Sequence, residues 1–328
     1  MKSLAISFAV AAIGLASCAH AQGEVRTPEG AIMNVDERLA YQPGELSEEQ
    51  LSSTTSHLFT ADFMNVFRRF PREQTEAMVK FYTEALALRS LSPVQLTASQ
   101  QMILTGVGGG QIKLSAGQPE GREYYPGGLD KATGIRFFML TYPDAAIVKQ
   151  RFADAGFAEP EFTTREDGIS QALVRDPGGF DIVILIRPGA KDNSDDGVGV
   201  GINVTDLEAS RAFYRDFVGL EELPPVDGPA PGTRLYPYRN GETTIMLFHT
   251  GGDMPNDNGS AGIQYIVSDA AMVDAKVKRR GGIEVQTPLN KLSGFDLTTI
   301  WLSDPDGVTN YFAQVGPNSR TAQESAAD

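Results

Sequence analysis

Residues 199–214 read Gly199-Val200-Gly201-Ile202-Asn203-Val204-Thr205-Asp206-Leu207-Glu208-Ala209-Ser210-Arg211-Ala212-Phe213-Tyr214. Val200, Ile202 and Val204 alternate with small or polar residues, the pattern of a half-buried strand. Asp206 then stands where a helix needs an N-cap, because a short carboxylate can accept from the first free backbone N–H groups. Beyond it Leu207, Phe213, Tyr214 and Phe217 fall on one helical face. A strand therefore runs straight into an amphipathic helix, and the β-branched and apolar runs Thr244–Phe248 and Leu297–Leu302 read as further strands.

The same opening recurs along the chain, and internal repetition decides fold before any other feature. Gly134-Ile135-Arg136-Phe137 and Gly262-Ile263-Gln264-Tyr265 start like Gly199-Val200-Gly201-Ile202, with the glycines 65 and 63 residues apart. A similar step back from Gly134 lands on Phe67 in Asn65-Val66-Phe67-Arg68-Arg69-Phe70. Phe81-Tyr82 and Phe213-Tyr214 each lie 14 residues after Phe67 and Gly199. Asp176-Pro177-Gly178-Gly179 and Asp304-Pro305-Asp306-Gly307 are 128 residues apart, and each turn lies 42 residues after Gly134 or Gly262. Four modules of α+β type follow, in two tandem domains. The divisions expected are domain one over 56–187, a linker over 188–197, domain two over 198–316, and a tail over 317–328. Gly106-x-Gly108-Gly109-Gly110 has no helix after it, so it reads as a hairpin turn and not as a phosphate loop.

The N-terminus carries a different message. Lys2 precedes a short apolar stretch, Leu4–Ala16, too short to span a bilayer and followed by polar residues, so residues 1–21 read as an export signal. Two processing routes are open. Ala19-His20-Ala21 is a small-x-small cleavage site, whereas Leu15-Ala16-Ser17-Cys18 has the form of a lipobox that would leave a lipidated Cys18 (cleavage at 17/18). The chain is then expected outside the cytoplasm, periplasmic or lipid-anchored to the outer membrane. Cys18 is the chain's single cysteine, which excludes an intramolecular disulfide. Residues 22–55 read as a polar tether with one short helix. With 28 basic and 42 acidic residues the net charge is −14, which argues against nucleic acid or an anionic lipid surface as partner of the whole molecule. A membrane is met only through the N-terminal lipid, and the oligomeric state is not legible.

The run Val204-x-Asp206-Leu207-x-x-Ser210-x-x-Phe213-Tyr214, continued by Val218-Gly219-Leu220 and joined to Asp304-Pro305-Asp306-Gly307, resembles the vicinal oxygen chelate superfamily of glyoxalases, bleomycin-resistance proteins and extradiol dioxygenases. The resemblance covers roughly 56–316. It implies paired βαβββ modules that curl into an incomplete barrel, with a ligand cup between the two modules of each domain. It also implies a divalent metal, lyase, isomerase or ring-cleaving chemistry, and His, Gln or Glu ligands at set strand positions. In this chain those positions carry Phe67, Lys113, Gly134 and Val183 in the first domain and Gly199, Met246, Gly262 and Tyr311 in the second. None is a competent ligand for a catalytic divalent ion, so no metal and no other cofactor is expected.

Strand alternation shows what lines the cups instead. Asn65, Arg69, Gln111, Lys113, Arg136 and Asp181 share the parity of the missing ligands. Ile112, Leu114, Ile135, Phe137, Ile182 and Ile184 take the other parity and should pack under the helices. Cations in excess suit an anionic or carbonyl-bearing small organic molecule, held by Arg69, Gln111, Arg136 and Asp181. The second cup, with Gly201, Asn203, Thr244, Met246, Phe248, Gln264 and Tyr311, reads as packing between the repeats. Two functions are open: a metal-independent binding protein, or an enzyme using Lys113 as base or Schiff-base former, or Tyr311. Ser170 and Ser210 have no partner histidine for a serine triad.

Overall fold

The structure, a computed structural model, describes residues 22–26, 32–97, 100–165, 167–191, 197–292 and 294–317. The export signal with Cys18, half of the interdomain linker and all but the first residue of the C-terminal tail lie outside them. Module one comprises β1 (Asn65–Phe70), α1 (Thr75–Lys80), β2 (Arg89–Thr97), β3 (Gln100–Val107) and β4 (Gly110–Ala116). Module two has β5 (Thr133–Tyr142), α2 (Ala145–Asp154), β6 (Ser170–Arg175) and β7 (Asp181–Ile186). Module three has β8 (Gly199–Asn203), α3 (Leu207–Phe213), β9 (Arg234–Asn240) and β10 (Thr243–Phe248). Module four has β11 (Ala261–Ile266), α4 (Ala270–Arg280), β12 (Val285–Leu292), β13 (Leu297–Ser303) and β14 (Thr309–Val315).

The strand-to-helix turn read from residues 199–214 repeats with its cap. Asp144, Asp206 and Asp269 each accept from backbone N–H groups of the first turn of α2, α3 and α4. These caps also correct one alignment. Gly199 and Gly262 both lie seven residues before their caps, and the residue seven before Asp144 is Phe137, not Gly134. The glycine run 106–110 is the hairpin turn expected, with Val107 paired to Gly110.

Two large sheets form, and each crosses the division between the halves. Sheet one runs β12-β13-β14-β11-β1-β4-β3-β2, so modules one and four share it. Sheet two runs β9-β10-β8-β5-β7-β6 and holds modules two and three. The expectation that each half closes its own cup is thus replaced by an exchanged pairing. Side-chain size supplies the reason. Gly262 lies opposite Phe67 and Gly201 opposite Phe137, and a Cβ added at either glycine would come within 2.1 Å of the facing ring. Each seam therefore sets one phenylalanine against one glycine. Pairing within the halves would put the strand of Phe67 beside that of Phe137, and the two glycine strands together. One seam would clash and the other would hold a void, both unfavourable in close-packed protein.

A β-bulge changes the parity of β5. The β5–β8 register passes from Gly201↔Phe137 to Ile202↔Ile135, which leaves Arg136 as the extra residue. Beyond it the alternation reverses, so Ile135 and Phe138 join the core under the helices while Phe137 turns to the opposite face. The sequence pattern puts Phe137 under the helices and Arg136 in the cup, and the bulge overturns both placements.

Residues expected as a tether are laid against module four. Gln22–Arg26 and Ile32–Asp36 form a hairpin that extends sheet one beyond β12. The short helix Glu48–Ser52 rests on α4, where the buried Lys276 ammonium donates to the Gln50 and Ser53 carbonyls and Arg279 pairs with Glu48. Cations at a helix C-terminus meet its unpaired carbonyls, which is why this docking is favourable.

The Asp-Pro turns of the two halves build the same buried bond twice. Tyr82 Oη donates to Asp176 at 3.1 Å, and Tyr214 Oη donates to Asp304 at 2.8 Å. Asp176 also meets Arg68, Nε to Oδ2 at 3.0 Å, whereas Val200 stands at the place of Arg68 in module three. Without a cation, burial pushes the Asp304 carboxyl up to about 7. Its folded value then lies above the unfolded one, so the folded state holds more protons between about pH 4 and 7 and stability falls as pH rises through that window. The expected loss is on the order of 4 kcal/mol. Denaturant unfolding from pH 4.5 to 8 should show this slope in the parent and a flattened one in Asp304→Asn. Equal slopes would show that Asp304 ionises normally.

Candidate functional site

The exchanged pairing regroups the expected site residues. The face of sheet one turned away from the helices brings together Asn65, Phe67, Arg69, Gln111, Lys113, Gln264, Trp301 and Tyr311. Registers Phe67↔Lys113, Gln264↔Asn65, Gln264↔Tyr311 and Trp301↔Tyr311 place them on adjoining strands. Gln264 and Tyr311, assigned from sequence to the second cup, thus stand beside Lys113.

Lys113 Nζ donates to Gln264 Oε1 at 2.5 Å, and the same oxygen accepts from Asn65 Nδ2 at 3.2 Å. Asn65 is fixed in turn by the Gln111 backbone N–H at 2.9 Å. No carboxylate pairs with Lys113 among the described residues, and burial lowers its ammonium pKa to about 8. Lys113 nevertheless remains half-buried, as do Phe67, Gln111, Trp301 and Tyr311, so these side chains are not sealed in packing. Trp301 and Tyr311 meet edge to face with centroids 5.0 Å apart, and the Trp301 indole N–H is buried without an acceptor. Tyr311 sits against Thr299, and burial raises its phenol pKa. Arg69 stacks over Phe67 at 4.9 Å and donates to the Gly259 carbonyl.

Arg136 and Asp181 belong to sheet two and do not join this group. Arg136 is fully buried and donates to the carbonyls of Tyr125, Gly127 and Gly128, with Asp257 at 3.3 Å. Every face of that guanidinium is engaged, so it anchors the 117–131 connection and the 256–260 turn and offers nothing to a ligand. Asp181 accepts from Arg175 at 2.8 Å and from the Gly128 N–H at 2.7 Å. Both residues are corrections to the expected ligand set, and the bulge at Arg136 is the physical cause for one of them.

The second cup is also different from expectation. Phe137, Val183, Leu185, Leu235, Met246 and Phe248 form a buried apolar cluster on sheet two, separate from the main core. Above it, between β5, β8, β10 and the loops 165–169 and 223–227, lies a cavity of about 460 Å³. Plain packing between repeats would have filled that space.

Two tandem open α+β cups with exchanged modules define the class of a two-domain glyoxalase-like protein. The family model for the Glyoxalase/Bleomycin resistance protein/Dioxygenase superfamily matches residues 66–184 and again 198–312, and the chain belongs to that superfamily. Among solved structures it is similar to glyoxalase I from Zea mays (18% identity, TM-score 0.60, 77% of this chain and 92% of that one). A point mutant of the same maize enzyme superposes at TM-score 0.62 with 17% identity, over 81% of this chain and 96% of that one. A candidate dioxygenase from Bacillus subtilis reaches 0.57 at 17% identity, over 81% and 87%. No curated protein sequence matches significantly.

The metal that the resemblance implies does not fit the residues present. In the first cup its positions hold Phe67, Lys113, Gly262 and Tyr311, and in the second Phe137, Val183, Gly199 and Met246. Among the described residues no three of His, Cys, Asp and Glu come together. His249 is held by Nδ1 against the Val204 carbonyl at 2.7 Å, away from both cups. A lysine ammonium occupies the side of the cup where a divalent ion would need an anionic ligand, and it would repel that ion.

Proposed function

We propose that this is an exported, metal-independent member of the superfamily that binds a small organic molecule with an anionic or carbonyl group in the cup of modules one and four. One observation carries the reading: a desolvated ammonium, Lys113, faces that cup with an amide oxygen and no carboxylate beside it. A buried cation without a counter-charge is costly unless an anion or a strong dipole completes its surroundings. Phe67, Trp301 and Tyr311 add aromatic walls.

Native mass spectrometry of protein purified without chelator tests it. The expected spectrum shows no stoichiometric zinc, iron or manganese and an organic mass retained on the parent but not on Lys113→Met. One tightly held transition metal per chain would overturn the proposal. The mature N-terminus read in the same spectra, at Cys18 with lipid or at Gln22, decides the route of export, and an intact Met1 would reject both.

A second reading rests on the same lysine. An amine whose pKa is lowered to about 8 is partly neutral near physiological pH and can act as a base or add to a carbonyl. Reduction with cyanoborohydride in the presence of benzaldehyde would then leave a benzyl group on Lys113, found by peptide mapping. Labelling spread evenly over surface lysines speaks against it.

A further inference from the structure

We infer that the cup of modules two and three is a second, chemically distinct binding site, which takes a neutral, largely apolar molecule with a single hydroxyl or carbonyl handle. The cavity of about 460 Å³ lies within the range of sites that enclose small organic ligands. Leu185 and Met246 line it from the strands, and with Leu235 they belong to the buried cluster built on the Phe137–Phe248 stack. Met139, Leu235, Leu223 and Pro225 complete the walls. Thioether side chains adapt their shape to an occupant at little cost.

One position separates the two cups in kind. Where the first carries Phe67, the second carries Gly199, and a Cβ there would come within 2.3 Å of Met246 and 2.9 Å of Met139. Two flexible thioethers thus stand where the first cup has a ring.

Charge distribution selects the ligand. The cations around the opening are Arg165, Arg187 and Arg234; Arg165 meets Asp167 at 3.0 Å, Arg234 meets Asp227 at 2.7 Å, and Arg187 is exposed at the rim and engaged in its own interaction. The walls away from the opening are Met139, Leu185, Leu235 and Met246. A charged ligand would leave water for walls that cannot solvate it. The hydroxyls of Thr141 and Thr244 line the cavity, and among the described residues neither has a side-chain hydrogen-bond partner. They supply one or two bonds to a neutral polar handle, which fixes orientation rather than affinity.

The two cups thus differ in kind, one built around an ammonium and one around thioethers and aliphatic side chains. The test uses the full chain and N-phenyl-1-naphthylamine, a neutral aromatic amine whose emission rises in apolar surroundings. Saturable binding of one probe per chain is expected. Thr244→Trp and Met139→Trp, which fill the cavity from the strands on either side of β8, should each weaken binding at least tenfold, while Lys113→Met leaves it unchanged. That last arm separates this site from the ammonium cup, since either can fail alone. Thermal melts confirm that at least one filling variant is folded, and a folded filling variant that binds as well as the parent overturns the proposal. So does binding that never saturates, or binding lost in Lys113→Met.

Discussion

Arg68→Met should be among the most damaging single changes in the protein, destabilising it by about 3–5 kcal/mol. Arg68 is wholly buried on β1, and its guanidinium is surrounded on every side. Nε meets Asp176 at 3.0 Å, Nη2 meets the Gly178 carbonyl at 2.9 Å, and Nη1 donates to the carbonyls of Arg69 and Ser260. The plane of the group lies over the Phe180 ring at 4.8 Å. These partners come from modules one, two and four, so one side chain ties sheet one to sheet two across the exchanged pairing. Removing it strands a carboxylate that is itself 3% exposed. That unpaired buried charge, more than the missing guanidinium bonds, accounts for the destabilisation. The companion change Asp176→Asn should therefore recover part of the loss in an Arg68→Met background, because the stranded anion is gone. Urea unfolding of the two variants measures both effects. An Arg68→Met midpoint equal to the parent's would sink the argument, and so would an unimproved double variant. Asp304, the counterpart without an arginine, already endures that lack, which is why its proton is held to neutral pH.

The modules are legible in the sequence because each begins with the same strand, cap and helix, and local patterns survive any choice of partner. Which modules share a sheet does not follow from those patterns, since every module presents an equivalent edge strand. The information is nevertheless present in the sizes of Phe67, Phe137, Gly201 and Gly262, read as facing pairs rather than as missing metal ligands. Parity places Asn65, Gln111 and Lys113 together, and it fails at Arg136, where a bulge adds a residue without any local signature of turn or proline. Trp301 escapes a reading of β13 as an apolar run, which takes no account of which of its side chains share a face with Tyr311. The cavity beside Gly199 escapes for a related reason. Enclosed volume leaves no motif, because it depends on residues that only the fold brings together.

Lys113→Met should weaken the binding of an anionic aromatic probe, benzoate, by a factor that corresponds to about 2–5 kcal/mol, and at the same time make the protein more stable. The two effects have one origin. Burial lowers the Lys113 pKa in the folded protein to about 8, below its ordinary value of 10.5. The unfolded chain then binds more protons between about pH 8 and 10.5, so stability rises with pH across that window, and below it the full penalty for the buried ammonium remains. Replacing the ammonium by a thioether of similar length removes the penalty, a gain on the order of 1–3 kcal/mol near pH 7. Gln264 Oε1 keeps its bond from Asn65, so the change leaves no acceptor bare. A lysine kept only for packing or for a salt bridge would behave in the opposite way, losing stability with no change in binding. Benzoate titration by calorimetry and thermal melts at pH 7 and 10 distinguish these cases in one pair of proteins. A variant that melts lower than the parent at pH 7, or binds benzoate as well, removes Lys113 from the site. With a higher melting temperature at pH 7, a smaller difference at pH 10 and weaker benzoate binding, the ammonium is held in the cup at the expense of the fold, as expected of a group that is there for its ligand.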